Sequence, residues 1–222
     1  QQSAKVYSIP LFNDCRSVRA VPGLCKRDTT KHIMTKLLEL HPDNPQRRLI
    51  AQIADAVAGG AVIAYPTDSC YALGCALADC HGPDHIRRLR GLKRAHNFSL
   101  MCIGLSDVSR YARIDNDAFR WLKQAVPGPY TFIMRATGAV PKKVQHERRR
   151  TVGIRMPEHP VTRALLEALD GPLMSSTLQL PDDDEPLSDP LEIHERLRGQ
   201  IDIVVSAGVN AAGPSTVVDL AS

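Results

Sequence analysis

From residue 45 to residue 220 the chain alternates between two patterns. Short apolar runs of strand length give way repeatedly to stretches with apolar residues at helical spacing. In residues 45–58 (PQRRLIAQIADAVA), Leu49, Ile53, Ala56 and Val57 fall on one helical face. Pro45 suits a first turn and Gly59-Gly60 ends the pattern. Residues 61–65 (AVIAY) read as a buried strand. Helical spacing recurs over 83–90, 106–112, 115–125, 160–169 and 188–198, with Asp115 a credible N-cap. Strand-like runs cover 130–135, 151–155, 173–177, 201–205 and 215–220. Interleaving of this kind, with no break in composition, predicts a single α/β domain whose helices pack on a mostly buried open sheet. Residues 181–190 (PDDDEPLSDP) read as a mobile acidic loop.

Length agrees with one domain: 222 residues, of which 43% are hydrophobic and 23% charged. No run approaches the ~18 apolar residues that a helical membrane span needs, so no membrane partner is expected. The six cysteines include no Cys-x-x-Cys pair, which leaves zinc ribbons and disulfide scaffolds unsupported. Free thiols in a reducing cytoplasm are the reading that follows.

Charge is distributed unevenly. Residues 1–33 hold six basic and two acidic side chains, leaving 22 of each sign in residues 34–222. The net charge of +4 therefore lies in the leader, and a globally basic surface is not the argument to make. Residues 1–33 lack periodicity, and Met34-Thr35-Lys36 reads like a natural start. They are read as an N-terminal extension, disordered or added upstream, with the folded domain spanning 34–222. Inside the neutral body, residues 86–94 carry five cations and no acid, and residues 142–155 carry six against one. Residues 182–195 carry seven acids. Each cluster read alone is a solvated face; two basic clusters flanking apolar strands favour a phosphate-bearing ligand, nucleotide or RNA.

Familiar catalytic templates are missing. There is no Gly-x-Gly-x-x-Gly, no Walker lysine loop, no Gly-x-Ser-x-Gly elbow and no His-Glu-x-x-His. His81 and His85 are four apart, but Pro83 separates them, so no metal set is assigned. What remains is a set of small polar turns at strand ends. AVIAY runs into PTDSCYALGC (66–75), placing Thr67, Asp68 and Ser69 where open α/β sheets hold ligands. A plain turn with Asp68 capping the next element is the simpler alternative. Thr131 follows the PGPY turn, and Arg155 ends the 151–155 run. Three hydroxyls (Ser175, Ser176, Thr177) end another strand, and Ser215 and Thr216 begin the last. Hydroxyls plus cations at several strand ends suit an anionic ligand rich in acceptor oxygens, such as a triphosphate.

The order PTDSCYALGC, a basic turn before SLMC, PGPYTFIM, TVGIRMPEHP, a Ser/Thr strand end and PSTVVDL resembles the YrdC/YciO family of threonylcarbamoyl-adenylate synthases. The likeness covers about residues 41–220, and HPDNPQRRLI (41–50), HNFSLMC (96–102) and DNDAFRWLK (115–123) fit the YciO branch. The resemblance implies a twisted open α/β sheet with a deep cleft at the strand ends. It implies condensation of L-threonine, bicarbonate and ATP to threonylcarbamoyl-AMP and pyrophosphate, for threonylcarbamoyl modification of tRNA adenosine. ATP is then a substrate, and Mg²⁺ rides on its phosphates.

By the same resemblance, Thr67 and Tyr71 would hold threonine, with Thr131 and Thr177 as further substrate contacts. Arg90 stands in the place of the lysine in the family's Lys-x-Arg motif. Arg155 matches the arginine of its Arg-x-Pro strand end, and these two cations are the expected catalytic pair. Arg90, Lys93, Ser215 and Thr216 would serve the nucleotide. The chain departs from the family pattern at Arg90-Gly91-Leu92, where the second cation is a leucine. It departs again at Thr177-Leu178-Gln179, in place of Ser-Ala-Asn. Two alternatives stay open: a double-stranded RNA or tRNA-binding module with little or no synthase activity, and an adenylate-forming enzyme with another small amine. The oligomeric state is not readable from the sequence.

Overall fold

In a computed structural model, the described residues are 34–79, 81–92, 98–169, 171–210, 213 and 215–221. The expected extension at 1–33 and the candidate ligand Lys93 lie outside them. The described residues form nine strands and six helices. Strands β1 (Lys36–Glu39), β2 (Ile63–Tyr65), β3 (Ala72–Ala76), β4 (Ser99–Met101), β5 (Tyr130–Arg135), β6 (Thr151–Arg155), β7 (Leu173–Thr177), β8 (Ile203–Ser206) and β9 (Thr216–Asp219) make one sheet. Its order is β1-β8-β2-β3-β7-β4-β6-β5-β9. Pairs β1/β8, β2/β8, β4/β6 and β5/β9 are parallel; the others are antiparallel.

Helices α1 (Arg47–Ala58) and α5 (Pro160–Ala168) cover one face. Ile53 and Val57 of α1 and Val161 and Leu165 of α5 pack there against Ile63, Tyr65, Met101, Leu173 and Ile203. Helices α2 (Gly82–Leu89), α3 (Leu105–Tyr111), α4 (Asn116–Ala125) and α6 (Pro190–Arg196) contribute to the core on the other face. There Ile86, Val108, Leu122 and Ile193 join Leu73, Leu100, Phe132, Ile154 and Met174. Period-2 alternation along each strand divides the apolar residues between these layers. Asp115 caps α4 as expected, accepting from Ala118 N at 2.8 Å. None of the described helices is long and apolar enough to cross a membrane.

The topology imposes a strong coil on the sheet. The chain leaves β8, second in the sheet, at Ser206 and re-enters at Thr216 in β9 on the far edge. Seven strand spacings of ~4.8 Å already approach the reach of ten residues at ~3.3–3.6 Å each. The two ends of the connection are also offset along the strands, so a flat sheet cannot be closed this way. Coiling carries the end of β6 toward the β2–β3 turn, where Arg155 meets Asp68 and Ser69.

Gly74 lets the sheet pack closely on the face covered by α1 and α5. A Cβ there would lie 2.8 Å from Tyr65 Cε1 and 2.9 Å from Leu173 Cδ2, and both side chains are fully buried. Gly74→Ala is expected to cost about 1–3 kcal/mol by overpacking. A urea titration in which its midpoint equals wild type would contradict this packing.

The 181–190 loop makes several defined contacts. Leu187 is buried, with its N–H on Leu178 O at 2.9 Å. Asp183 pairs with Arg196 at 2.8 Å, and Asp189 caps α6 by accepting from Leu191 N at 2.8 Å. Asp183 and Asp189 thus serve local anchoring, which a composition-based reading cannot see, while Asp182, Asp184 and Glu185 are exposed.

Candidate active site

The turn from β2 to β3 is built by one hydroxyl. Thr67 is buried; its Oγ1 donates to Cys70 O at 2.7 Å and accepts from Ser69 N at 3.1 Å and Cys70 N at 3.3 Å. Its Oγ1 also lies 3.0 Å from Ser69 Oγ. Two outside groups clamp the turn: Thr162 Oγ1 donates to Pro66 O, and Asn210 Nδ2 donates to Thr67 O. The turn is therefore fixed before any ligand arrives.

Arg155 reaches this turn from the end of β6. Its Nη2 donates to Asp68 Oδ1 at 2.7 Å and to Ser69 Oγ at 2.9 Å. The pair is buried, with side-chain exposures of 6% and 9%. Asp68 Oδ2 also accepts from Glu158 N at 3.3 Å. The simpler expectation for Asp68, a cap for the next element, is thus replaced by a clamp on residues 155–158. The buried pair also gives Arg155 a structural partner. Its Nε, however, is buried without a hydrogen-bond partner, as is His159 Nδ1 at the start of α5.

A second group gathers at the end of β7. Ser175 and Ser176 point to opposite faces by strand alternation. Ser175 Oγ accepts from the fully buried Tyr65 hydroxyl at 2.6 Å, and burial pushes that hydroxyl's pKa up. Ser176 Oγ accepts from Arg90 Nη1 at 2.6 Å, and Arg90 Nε donates to Gln179 O at 3.0 Å. Burial pushes the Arg90 guanidinium down to about 10. Thr177 is half-buried and opposite Ala72. Cys70 lies between the two groups. Burial raises its thiol, while Ser69 and the charges of Arg155 and Arg90 pull it back. Both candidate cations therefore act on one locality.

Tyr71 sits at the same end of the sheet. Its hydroxyl donates to Gly208 O at 2.8 Å and accepts from Ala207 N at 3.2 Å; burial raises it to about 12. Thr131 and Ser215 pair with each other at 2.9 Å, at the start of β5 and just before β9, and Thr216 is exposed. The turn before β5 is tied to the end of β6 by Gly128 N on Met156 O at 3.0 Å. The coil thus brings Thr67, Tyr71, Thr177, Arg90 and Arg155 to one mouth. Thr131, Ser215 and Thr216 form a separate hydroxyl set on its β5–β9 flank.

Several members were absent from the list of candidates read from sequence. Asp68 and Ser69 were visible as turn residues, but their link to Arg155 spans 87 and 86 residues. His159 and Asn210 carried no local signal. The basic clusters also divide. Arg87 is buried against Asp84 at 2.8 Å, Lys143 O at 3.1 Å and the Phe98 ring at 4.8 Å. Lys143 Nζ donates to Asp79 O at 2.6 Å, while Lys142, Arg148 and Arg150 are exposed. Among the described residues of these clusters, Arg87, Arg90, Lys143 and Arg155 are tied into the fold. No group of three or more His, Cys, Asp or Glu side chains that could hold a metal ion occurs among the described residues.

Two histidines link stability to pH. Burial lowers the pKa of His159 against the fields of Asp68 and Asp43. Burial, with Arg149 and Arg148, lowers that of His146. The unfolded chain, with ordinary values of about 6.5, then binds protons more readily than the folded one. Stability present at neutral pH is expected to be lost as pH falls through the folded values. A double His146→Gln, His159→Gln variant should show a shallower acid fall in melting temperature. Parallel curves for the two proteins would contradict the assignment.

The Sua5/YciO/YrdC family model, described as "Telomere recombination", matches residues 55–222. The YciO protein of Escherichia coli (strain K12) is 47% identical over 187 residues, covering 84% of this chain and 91% of that protein. Its crystal structure superposes with a TM-score of 0.81. Human threonylcarbamoyl-AMP synthase is 32% identical over 180 residues, covering 78% of this chain and 62% of the human protein. The structure of P. abyssi Sua5 complexed with L-threonine has a TM-score of 0.78 at 22% identity, covering 85% of this chain and 55% of that one. The YciO and Sua5 structures share the twisted mixed sheet described above. A polar mouth at coiled strand ends and a family match over most of the chain lead to one conclusion: this protein belongs to the Sua5/YciO/YrdC family.

Proposed function

We propose that the chain is a cytoplasmic enzyme that joins L-threonine, bicarbonate and ATP into threonylcarbamoyl-AMP and pyrophosphate, for tRNA adenosine modification. The observation that carries this reading is Arg155. It is a buried guanidinium anchored on one edge by Asp68 and Ser69, with its Nε buried and unpartnered beside the β2–β3 turn. Buried N–H groups without partners are rare, and a carboxylate or phosphate oxygen would satisfy this one. Relationship to a human threonylcarbamoyl-AMP synthase and fold likeness to a Sua5 bound to L-threonine support the same chemistry.

The reaction asks little covalent chemistry of the protein. A carbamate formed from the threonine amine and bicarbonate attacks the α-phosphorus, and pyrophosphate leaves. The chain's tasks are positioning and charge stabilisation. The fixed Thr67 turn would seat the amino acid. Arg155 would orient a carboxylate or phosphate, and Arg90, held at the end of β7, would add a fixed positive field. Ser215 and Thr216 would meet the nucleotide. Mg²⁺ would be carried on the ATP phosphates and water.

A second reading is favoured by the exposed cations of the β5–β6 connection, Lys142, Arg148 and Arg150: duplex RNA or tRNA engaged through its phosphates. One experiment separates the readings. The protein is incubated with ATP, Mg²⁺, bicarbonate and each amino acid in turn, and pyrophosphate is measured. Threonine-dependent release is the expected result. Release with another amino acid alone would move the substrate assignment. No release, with salt-sensitive binding of duplex RNA, would overturn the synthase reading.

A further inference from the structure

We infer that His159, through Nδ1, is the base that removes a proton from the ammonium group of the amino-acid substrate. The inference rests on the synthase reading above and deepens it.

Two buried polar atoms without partners flank one carboxylate. Arg155 Nε and His159 Nδ1 lie at the two ends of the segment 155–159. Asp68 holds that segment through Arg155 Nη2 at 2.7 Å and Glu158 N at 3.3 Å. One atom is a permanent donor; the other is an acceptor in the neutral ring that carries its proton on Nε2, the tautomer this proposal requires. A zwitterionic α-amino acid carries the complementary pair: a carboxylate for the Arg155 N–H and an ammonium for the imidazole nitrogen. A phosphate alone would satisfy the first atom and leave the second. His159 is not occupied in capping α5, for its side chain makes no cap hydrogen bond.

The surroundings keep the ring neutral, the form that can take up a proton. Asp68 and Asp43 act on the ring from outside its own helix, and Arg155 is already paired with Asp68. Glu158 is the adjacent residue and is exposed. Arg163, one turn into α5, donates its backbone N–H to His159 O at 3.0 Å. Burial outweighs the two carboxylates and lowers the ring's proton affinity, so it rests neutral. Once the proton arrives, the same carboxylates stabilise the imidazolium.

The step balances. An N–H bond of the ammonium breaks, its proton passes to Nδ1 and the electron pair stays on nitrogen. The amine nitrogen attacks the bicarbonate carbon, forming a C–N bond. The C–O bond to the hydroxyl breaks, and that hydroxyl leaves as water with the second amine proton. The imidazolium then returns its proton to solvent. The carbamate oxygen is left to attack the α-phosphorus and expel pyrophosphate.

The test compares full-length wild type, His159→Gln and His159→Ala by threonine-dependent pyrophosphate release across pH, at limiting bicarbonate. Circular dichroism confirms folding. The wild-type rate should fall as the pH drops through the histidine range. His159→Gln should be about 100-fold slower near neutrality, recovering as pH rises and free amine accumulates. Added imidazole should partly rescue His159→Ala. A His159→Gln variant that keeps the wild-type pH profile, with only its KM or stability changed, overturns the inference while leaving the synthase reading intact. Wild type with no threonine-dependent release overturns both.

Discussion

Replacing Arg155 with alanine should lower the unfolding free energy by about 3–5 kcal/mol, because it strands Asp68 as an uncompensated buried charge. The pair is short, at 2.7 Å, and enclosed on both sides. In the sequence Arg155 is legible only as the cation that ends the 151–155 run. The structure adds a duty in the fold: the residue clamps the β2–β3 turn against β6. Removing both partners, in Arg155→Ala with Asp68→Asn, should recover part of the loss, since the two sites are coupled. Chemical denaturation of the two singles and the double reads this directly. A single variant within ~1 kcal/mol of wild type would contradict the clamp, because surface pairs contribute no more than that.

Arg90→Ala should cost less stability and more ligand binding. The guanidinium ties the end of α2 to Ser176 and Gln179, and hydrogen bonds from a charged donor contribute about 1.5–3 kcal/mol each. A loss of about 2–4 kcal/mol is expected, together with a fall in ATP affinity of at least about tenfold, equivalent to ~1.4 kcal/mol. Arg90→Lys should restore little of either. A single ammonium lacks the planar fork that serves two acceptors at once. Equal ATP affinity in all three proteins, measured by calorimetry, would remove Arg90 from the nucleotide's surroundings and leave it a structural tie.

Much of the architecture is legible in the sequence. The 130–135, 151–155 and 173–177 runs became β5, β6 and β7 within the ranges read, and α4 begins behind its Asp115 cap. These elements announce themselves through period, caps and bounding turns. The strands that escaped are those without such signals. β3 (ALGCA) has no β-branched residue. β1 is an edge strand whose outer residues are exposed. Helix α1 begins at Arg47, two residues beyond Pro45, with no side-chain cap to mark its start.

The mouth was legible as a list and not as an arrangement. Thr67, Tyr71, Thr177, Arg90 and Arg155 could be named from strand ends and family order. Which of them meet depends on the coil of the sheet, and that coil follows from connectivity between β8 and β9. Local periodicity carries no information about contacts between residues some 86 positions apart, such as Arg155 with Ser69. Charge runs misled in the same way. Arg87 and Lys143 belong to clusters that look like ligand-facing patches, yet their head groups are committed to Asp84, Lys143 O and Asp79 O.

The central claim is that this mouth makes threonylcarbamoyl-AMP. It is tested most directly by incubating the protein with ATP, Mg²⁺, L-threonine and carbon-13 bicarbonate, then examining the nucleotides by mass spectrometry. The account predicts an adenylate whose mass includes threonine and one heavy carbon, formed by wild type and lost in Arg155→Ala. Unchanged ATP, or AMP with no labelled carbamoyl adduct, from folded wild-type protein would contradict it.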